Sequence, residues 1–157
     1  MAEADLDAVL AVQAACYSPP MQEPADVVRA RLRASPDTVL VARDAVGVCA
    51  YLFAYPSRLG MVTPLGGDFA VPMDPDTLYL HDLAVAPRAA GQGVARRLVD
   101  AMLARAGSLR HSALVSVQDS RPFWESMGYA AAAGDASALA TYPTDAQYMT
   151  KRMSARG

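Results

Sequence analysis

Apolar residues in this chain recur in two rhythms. Between Asp5 and Ala15, the residues Leu6, Val9, Leu10, Val12 and Ala14 return at helical spacing behind an aspartate that suits a helix start. Tyr17-Ser18-Pro19-Pro20 breaks that helix. A second is predicted from about Pro24 to Ala34, with Val27, Val28 and Leu32 on one side, and Ser35-Pro36-Asp37 ends it. Thr38 to Ala42 is β-branched and apolar and reads as a strand; Arg43 to Gly47 is a turn, and Val48 to Tyr55 is the partner strand of a hairpin. Pro56 to Thr77 carries four prolines and three glycines. A segment of that length inside a compact domain is usually functional or mobile. Leu78 to Val85 returns to strand character. Gly93 to Ala106 is the clearest helix, with Leu98, Val99, Met102, Leu103 and Ala106 as its apolar stripe and Gly107 as its stop. Ala113 to Val117 reads as a strand, Pro122 to Met127 as a short helix with proline in its first turn, and Gln147 to Met153 as a last strand.

The order α-α-β-β-loop-β-α-β-α-β predicts a mixed sheet with helices on both faces. The run from Leu78 to Val117 should form a right-handed parallel crossover. A length of 157 residues fits one domain, 1–157. An apolar fraction of 53% with 19% charged residues suits a globular chain. The net charge of −2 offers no basic footprint for nucleic acid. Cys16 and Cys49 are the only cysteines and lack metal-ligand spacing, so no metal site is expected. Glu3, Asp5 and Asp7 stand where a secretory signal would be basic. The longest apolar run, Ala45 to Tyr55, is interrupted by glycine and too short to span a bilayer. A soluble, cytoplasmic protein with no nucleic-acid or membrane partner is the expectation.

The chemistry concentrates between Leu78 and Met102. Arg88, Gly91 and Gly93 form an R-x-x-G-x-G pattern between a strand and a helix. Such a loop presents backbone N–H groups and the positive end of a helix dipole to an anion, and a diphosphate suits it. A dinucleotide fold would need a third glycine where Arg96 stands. A P-loop would need a lysine, and the only lysine is Lys151. The pattern, with the preceding L-H-D-L-A-V, the V-x-P at Val85 to Pro87 and the following amphipathic helix, resembles the acetyl-CoA loop of the GNAT superfamily of N-acetyltransferases. A second block, ALVSVQDSRPFWESMGY from Ala113 to Tyr129, resembles that family's next strand and helix.

The resemblance implies an α/β fold of the α+β type: a mixed, mostly antiparallel central sheet, helices on both faces and a splayed parallel strand pair. It implies acetyl-CoA as cofactor. Leu83, Ala84 and Val85 would pair with the pantetheine arm through their backbone. Arg88, Ala89, Ala90, Gly91, Gln92, Gly93, Val94 and Ala95 would wrap the pyrophosphate. Relatives often carry a basic residue just before the first glycine; here it is Ala90, with Arg88, Arg96 and Arg97 left to supply charge. Phe123 and Trp124 would line the cofactor groove. His81 aligns with a proton-relay histidine of the arylalkylamine branch, and the ordinary imidazole pKa of about 6.5 suits a base at neutral pH. Asp82 is the second catalytic candidate; a regular strand would turn it to the opposite side, and a bulge would not. Many relatives protonate the leaving thiolate with a tyrosine where this chain has Trp124, whose indole N–H donates a hydrogen bond but delivers no proton. Tyr129 and Tyr79 are the remaining donors.

Relatives usually begin with a strand before the first helix, whereas this chain enters its helix almost at Met1. Either that strand is missing or the start lies upstream; a missing edge would suit cover by a second subunit in a homodimer. The function implied is an acetyl-CoA-dependent N-acetyltransferase acting by direct attack of a primary amine, of a small molecule, on the thioester. Pro56 to Thr77, with Arg58 and Asp68, would be the substrate-facing lid. The alternatives are a non-catalytic acyl-CoA-binding module and a protein acetyltransferase acting on an N-terminus or a lysine.

Overall fold

The computed structural model describes residues 1–154. Helices α1 (Leu6–Cys16) and α2 (Ala25–Ala34) come first, then the hairpin β1 (Val39–Arg43) and β2 (Val48–Ser57). The strand β3 (Thr77–Val85), helix α3 (Val94–Leu103) and strand β4 (His111–Ser116) form the crossover. α4 (Arg121–Ser126), β5 (Ala130–Ala131), α5 (Ala136–Leu139) and β6 (Gln147–Arg152) complete the chain. The sheet order is β1-β2-β3-β4-β6-β5. Every neighbouring pair is antiparallel except β3 and β4. This is the mixed sheet expected from the pattern, and mostly antiparallel as the resemblance implies. The alanine-rich stretch gave no signal for β5 and α5, because alanine neither alternates in polarity nor caps a helix; Asp135 caps α5 by accepting from the Ser137 and Ala138 amides.

Each face of the sheet has its own core. On one, Leu6, Val9 and Val12 of α1 and Val28 and Leu32 of α2 pack on Tyr51, Phe53, Tyr55 and Tyr79. On the other, Leu98, Val99 and Met102 of α3 and Trp124 and Met127 pack on Leu52, Ala54, Leu78, Leu80, Leu114 and Met149. β2 is buried almost throughout because it is covered on both faces. The α3 stripe lies inward as its spacing predicts, with Leu103 at the margin. None of the helices among the described residues is long and apolar enough to cross a membrane.

The segment between β2 and β3 is irregular but tied down. Its Gly60 amide donates to the Tyr148 hydroxyl, its Leu65 amide to Thr141 Oγ1, and Tyr142 Oη donates to the Thr63 carbonyl. Phe69 stacks on Tyr55 at 4.1 Å between centroids. Leu59, Met61, Val71 and Met73 stay exposed.

Met102 has no exposed surface and sits where α3 meets the sheet. Met102→Ala is expected to lower stability by about 3 kcal/mol, read by urea denaturation, because the removed side chain leaves a cavity that rigid neighbours cannot fill.

Candidate acyl-CoA groove and acceptor site

β3 and β4 pair only from Thr77↔His111 to Leu80↔Leu114. Beyond that point β3 runs on to Val85 with β2 alone at its side. The two parallel strands therefore part, and the fork opens a groove of about 480 Å³. Leu83, Ala84 and Val85 form one wall; Val115 of β4 and Val117 and Gln118 just beyond it line the other. Ala90, Ala95, Phe123 and Trp124 line the end nearest α3, and Tyr17, Glu23, Leu65 and Tyr142 line the opposite end. Gln118 and Asp119 just after β4 have φ of 51° and 57°, a left-handed conformation that non-glycine residues seldom hold.

The carbonyls on the groove edge of β3 are already engaged. Tyr17 Oη donates to the Leu83 carbonyl at 2.9 Å, and the Cys16 thiol donates to that of Val85 at 3.1 Å. A carbonyl has two lone pairs, so each keeps one for a further donor.

At the other end, Gly91 and Gly93 both have φ of +73°, and a Cβ built on either would meet nothing within 4 Å. The protein itself does not crowd these positions; the positive φ of the turn is what favours glycine. Gly93 caps α3 without a side chain, leaving the first amides of the helix unbonded and aimed at the loop. Arg88 turns away: it donates to Asp44 on the hairpin turn at 2.8 Å and to the Val48 carbonyl. Arg97 donates to the Gln92 carbonyl and Arg96 to Ser126 Oγ. Ala89 and Val94 pack inward against the core. The anion cradle is thus one of backbone amides and a helix dipole.

A β-bulge sets the chemistry at the fork. Phe53 pairs with Asp82 and Ala54 with Leu80, so His81 is the extra residue. The bulge turns His81 and Asp82, neighbours in sequence, to the same face. His81 packs edge-on to Phe69 on the α1–α2 side, and Asp82 accepts from Tyr51 Oη at 2.9 Å. The two candidates are therefore brought together.

Sequence reasoning missed the groups that surround them. Glu23, in the α1–α2 connection, accepts Arg31 Nη1 on Oε1 and Nη2 on Oε2, each at 2.5 Å. Its Oε2 also accepts the Gly66 amide at 2.7 Å, and His81 Nε2 lies 3.1 Å from Oε1. The Glu23, Arg31 and His81 side chains are 4%, 2% and 2% exposed. Burial pushes the Glu23 carboxyl up, but hydrogen bonds from His81 and Arg31 outweigh it and hold the group well below the usual range. For Asp82 burial wins: the carboxyl is raised, with Glu23 adding to the rise and His81, Tyr51 and Tyr17 opposing it. One signal could have found this network. Arg31 lies between Val28 and Leu32 on the buried stripe of α2, and a buried arginine needs a buried carboxylate.

Trp124 is buried edge-on to Tyr129, and its ring forms part of the groove end. Tyr129 gives its hydroxyl to a bond with Ser112 in the core, and burial raises it to about 12. Neither Tyr129 nor Tyr79 lines the groove; the tyrosines that do are Tyr17 and Tyr142. No group of three or more His, Cys, Asp or Glu side chains able to hold a metal occurs among the described residues.

Comparison with known proteins follows this geometry. The family model described as Acetyltransferase (GNAT) family matches residues 6–129. Three solved structures share the fold. The GphF GNAT-like decarboxylase in complex with isobutyryl-CoA has a TM-score of 0.80 at 14% identity, over 97% of this chain and 96% of that one. The loading GNATL domain of CurA from Lyngbya majuscula has a TM-score of 0.78 at 12% identity, over 97% and 94%. The ribosomal-protein-S18-alanine N-acetyltransferase from Escherichia coli has a TM-score of 0.70 at 16% identity, over 100% and 93%. No curated protein sequence matches the chain.

Gly93→Ala is expected to cost about 1 kcal/mol in stability. By calorimetric titration it should weaken coenzyme A binding by about tenfold or more, the loss of one hydrogen bond to a charged group. Asp82→Asn should raise Tm at pH 7. The raised carboxyl makes the charged form a burden on the folded state above its folded pKa. That burden, and so the gain from the variant, should vanish below about pH 4, where the carboxyl is protonated in both states.

Proposed function

This chain belongs to the GNAT family of acetyltransferases, and on that premise we propose that it transfers an acetyl group from acetyl-CoA to the primary amine of a small molecule. The observation that carries the reading is the fork itself. A groove between parting parallel strands runs from Ala90 and Ala95, which flank the glycine loop at Gly91 and Gly93, to a buried His81. The residues present fit a coenzyme A thioester: the cradle suits its diphosphate, and the β3 edge of Leu83 to Val85, whose engaged carbonyls each keep one lone pair, suits its amide-bearing arm. Bound there, it supplies an acyl group on a good leaving group.

Support for an amine acceptor comes from charge. Two carboxylates, Glu23 and Asp82, stand at the acceptor end, and the one buried cation near them, Arg31, is spent on Glu23 and the Gly67 carbonyl. That surplus of negative charge favours a cationic guest over an anionic one. Met21, Leu65 and Tyr142 supply an apolar flank. An alkylammonium must lose a proton before it attacks, and His81 is the base at hand. Tyr17, with its hydroxyl on the groove strand, is the donor nearest the fork.

One feature favours a second reading, acyl-CoA decarboxylation. Trp124 gives the leaving sulfur no acid, and cleavage of a carbon–carbon bond would leave the thioester intact. The acidic surroundings of His81 argue against it, since a carboxylated acyl chain would find no free cation.

Thiol release from acetyl-CoA over a panel of small amines and N-terminal peptides tests the first reading; carbon dioxide release from malonyl-CoA tests the second. With the best amine, His81→Ala should lower kcat by about 10²- to 10⁴-fold. An unchanged rate at neutral pH would remove His81 from the mechanism. Binding of coenzyme A without turnover of any acyl donor would leave a binding module.

A further inference from the structure

Glu23 is more tightly held than a surface-facing carboxylate in a loop needs to be. Its amide donates to Gln13 Oε1 at 3.1 Å, and Gln13 Nε2 donates back to its carbonyl at 3.0 Å. Its carboxylate accepts from the two Arg31 nitrogens and the Gly66 amide, which leaves one site open on Oε1. Arg31 is in turn fixed by two bonds to the Gly67 carbonyl, at 3.1 and 2.6 Å. The one remaining neighbour is His81 Nε2. We propose that Glu23 is the positioning residue of the acetyl transfer: it locks His81 in the tautomer that carries hydrogen on Nε2 and leaves Nδ1 to take the acceptor's proton. This rests on the acetyltransferase reading.

An ionised carboxylate only accepts hydrogen bonds, so the nitrogen beside it must be the one that donates. In the neutral ring the lone pair then lies on Nδ1. That atom is buried and has no partner among the described residues. Phe69 meets the ring edge-on at 5.5 Å and Tyr79 lies tilted to it at 6.2 Å, so aromatic packing holds the ring without satisfying it. A buried acceptor left unpaired is a cost to the folded state. The cost disappears when a donor comes; His81 and Glu23 line the groove, and an acceptor ammonium there would reach the shielded Nδ1 once the side chains packed over it shift. The proton passes from the ammonium nitrogen to Nδ1. The ring becomes a cation whose Nε2–H still points at Glu23, which stabilises it as an ion pair. The freed nitrogen lone pair forms the amide bond to the acyl carbon as the C–S electrons go to sulfur. The nitrogen's second proton ends on sulfur, and His81 returns its own to solvent.

The chain has two histidines, which makes the tautomer directly readable. Long-range ¹H–¹⁵N spectra of the full-length protein, with His111→Gln to assign the signals, should show His81 protonated on Nε2 at neutral pH. In Glu23→Gln the carboxamide can either donate or accept, so the Nδ1–H form should appear. In thiol-release assays with the best amine, kcat of that variant should fall by about 10²-fold, while KM for acetyl-CoA moves by less than about twofold. A wild-type spectrum with hydrogen on Nδ1 overturns the proposal even if the variant fails to fold. So does a folded Glu23→Gln protein that keeps the Nε2–H form and full kcat. If wild type shows Nε2–H and no amine is acetylated, the acetyltransferase reading falls instead, and the tautomer assignment survives it.

Discussion

Backbone amides and carbonyls are not left bare inside a protein, and β3 must leave β4 half-way along its length. Pairing stops at Leu80↔Leu114, and the carbonyls beyond it need other partners. The last residues of α1 and the one after it provide them: Cys16 reaches Val85, and Tyr17 reaches Leu83. The first helix is therefore pinned to the third strand, across the face of the sheet, by the same edge that a strand-like ligand would use. Divergence, groove and the position of the α1–α2 connection follow from that one interruption in the sheet.

The connection brings Glu23 beside the fork. A buried ion pair is a poor source of stability, because desolvation of both ions offsets their attraction. Here Glu23 and Arg31 do something else. They bind the midpoint of the long segment between β2 and β3 at Gly66 and Gly67 and hold an imidazole in place. The bulge at His81 completes the arrangement by turning Asp82 to the same side, where two phenols, Tyr51 and Tyr17, surround it. Burial and the Asp82 charge push both phenols well above their ordinary values, so each keeps its proton as a hydrogen-bond donor.

The parts legible in the sequence are those governed by local rules. The hairpin, the α3 stripe and the glycine loop were read from alternation, helical period and turn chemistry, and each lies within a few residues of its expected place. The bulge was not legible, because L-Y-L-H-D-L-A-V reads as an unbroken strand; only the adjacent polar pair His81-Asp82 hinted at it. Arg88 was expected beside the cofactor loop, yet Asp44, distant in sequence, draws it to the hairpin turn. Glu23 escaped notice for the same reason: its partners lie 8, 43 and 58 positions away. Long-range charge pairing leaves no periodic trace.

The cradle at the start of α3 has one more implication. Its donors are amides, which every residue but proline carries whatever its side chain. Ala90, Gln92 and Ala95 could be exchanged for many others without removing a donor, and the glycines at 91 and 93 are the narrow constraint. An anion held at such a loop would be specified by backbone shape and hardly at all by side-chain identity. Genetic drift can erase most of the letters while the binding surface persists. Backbone shape is what this chain shares with its structural neighbours: 12–16% of its residues are identical to theirs, at TM-scores of 0.70 to 0.80.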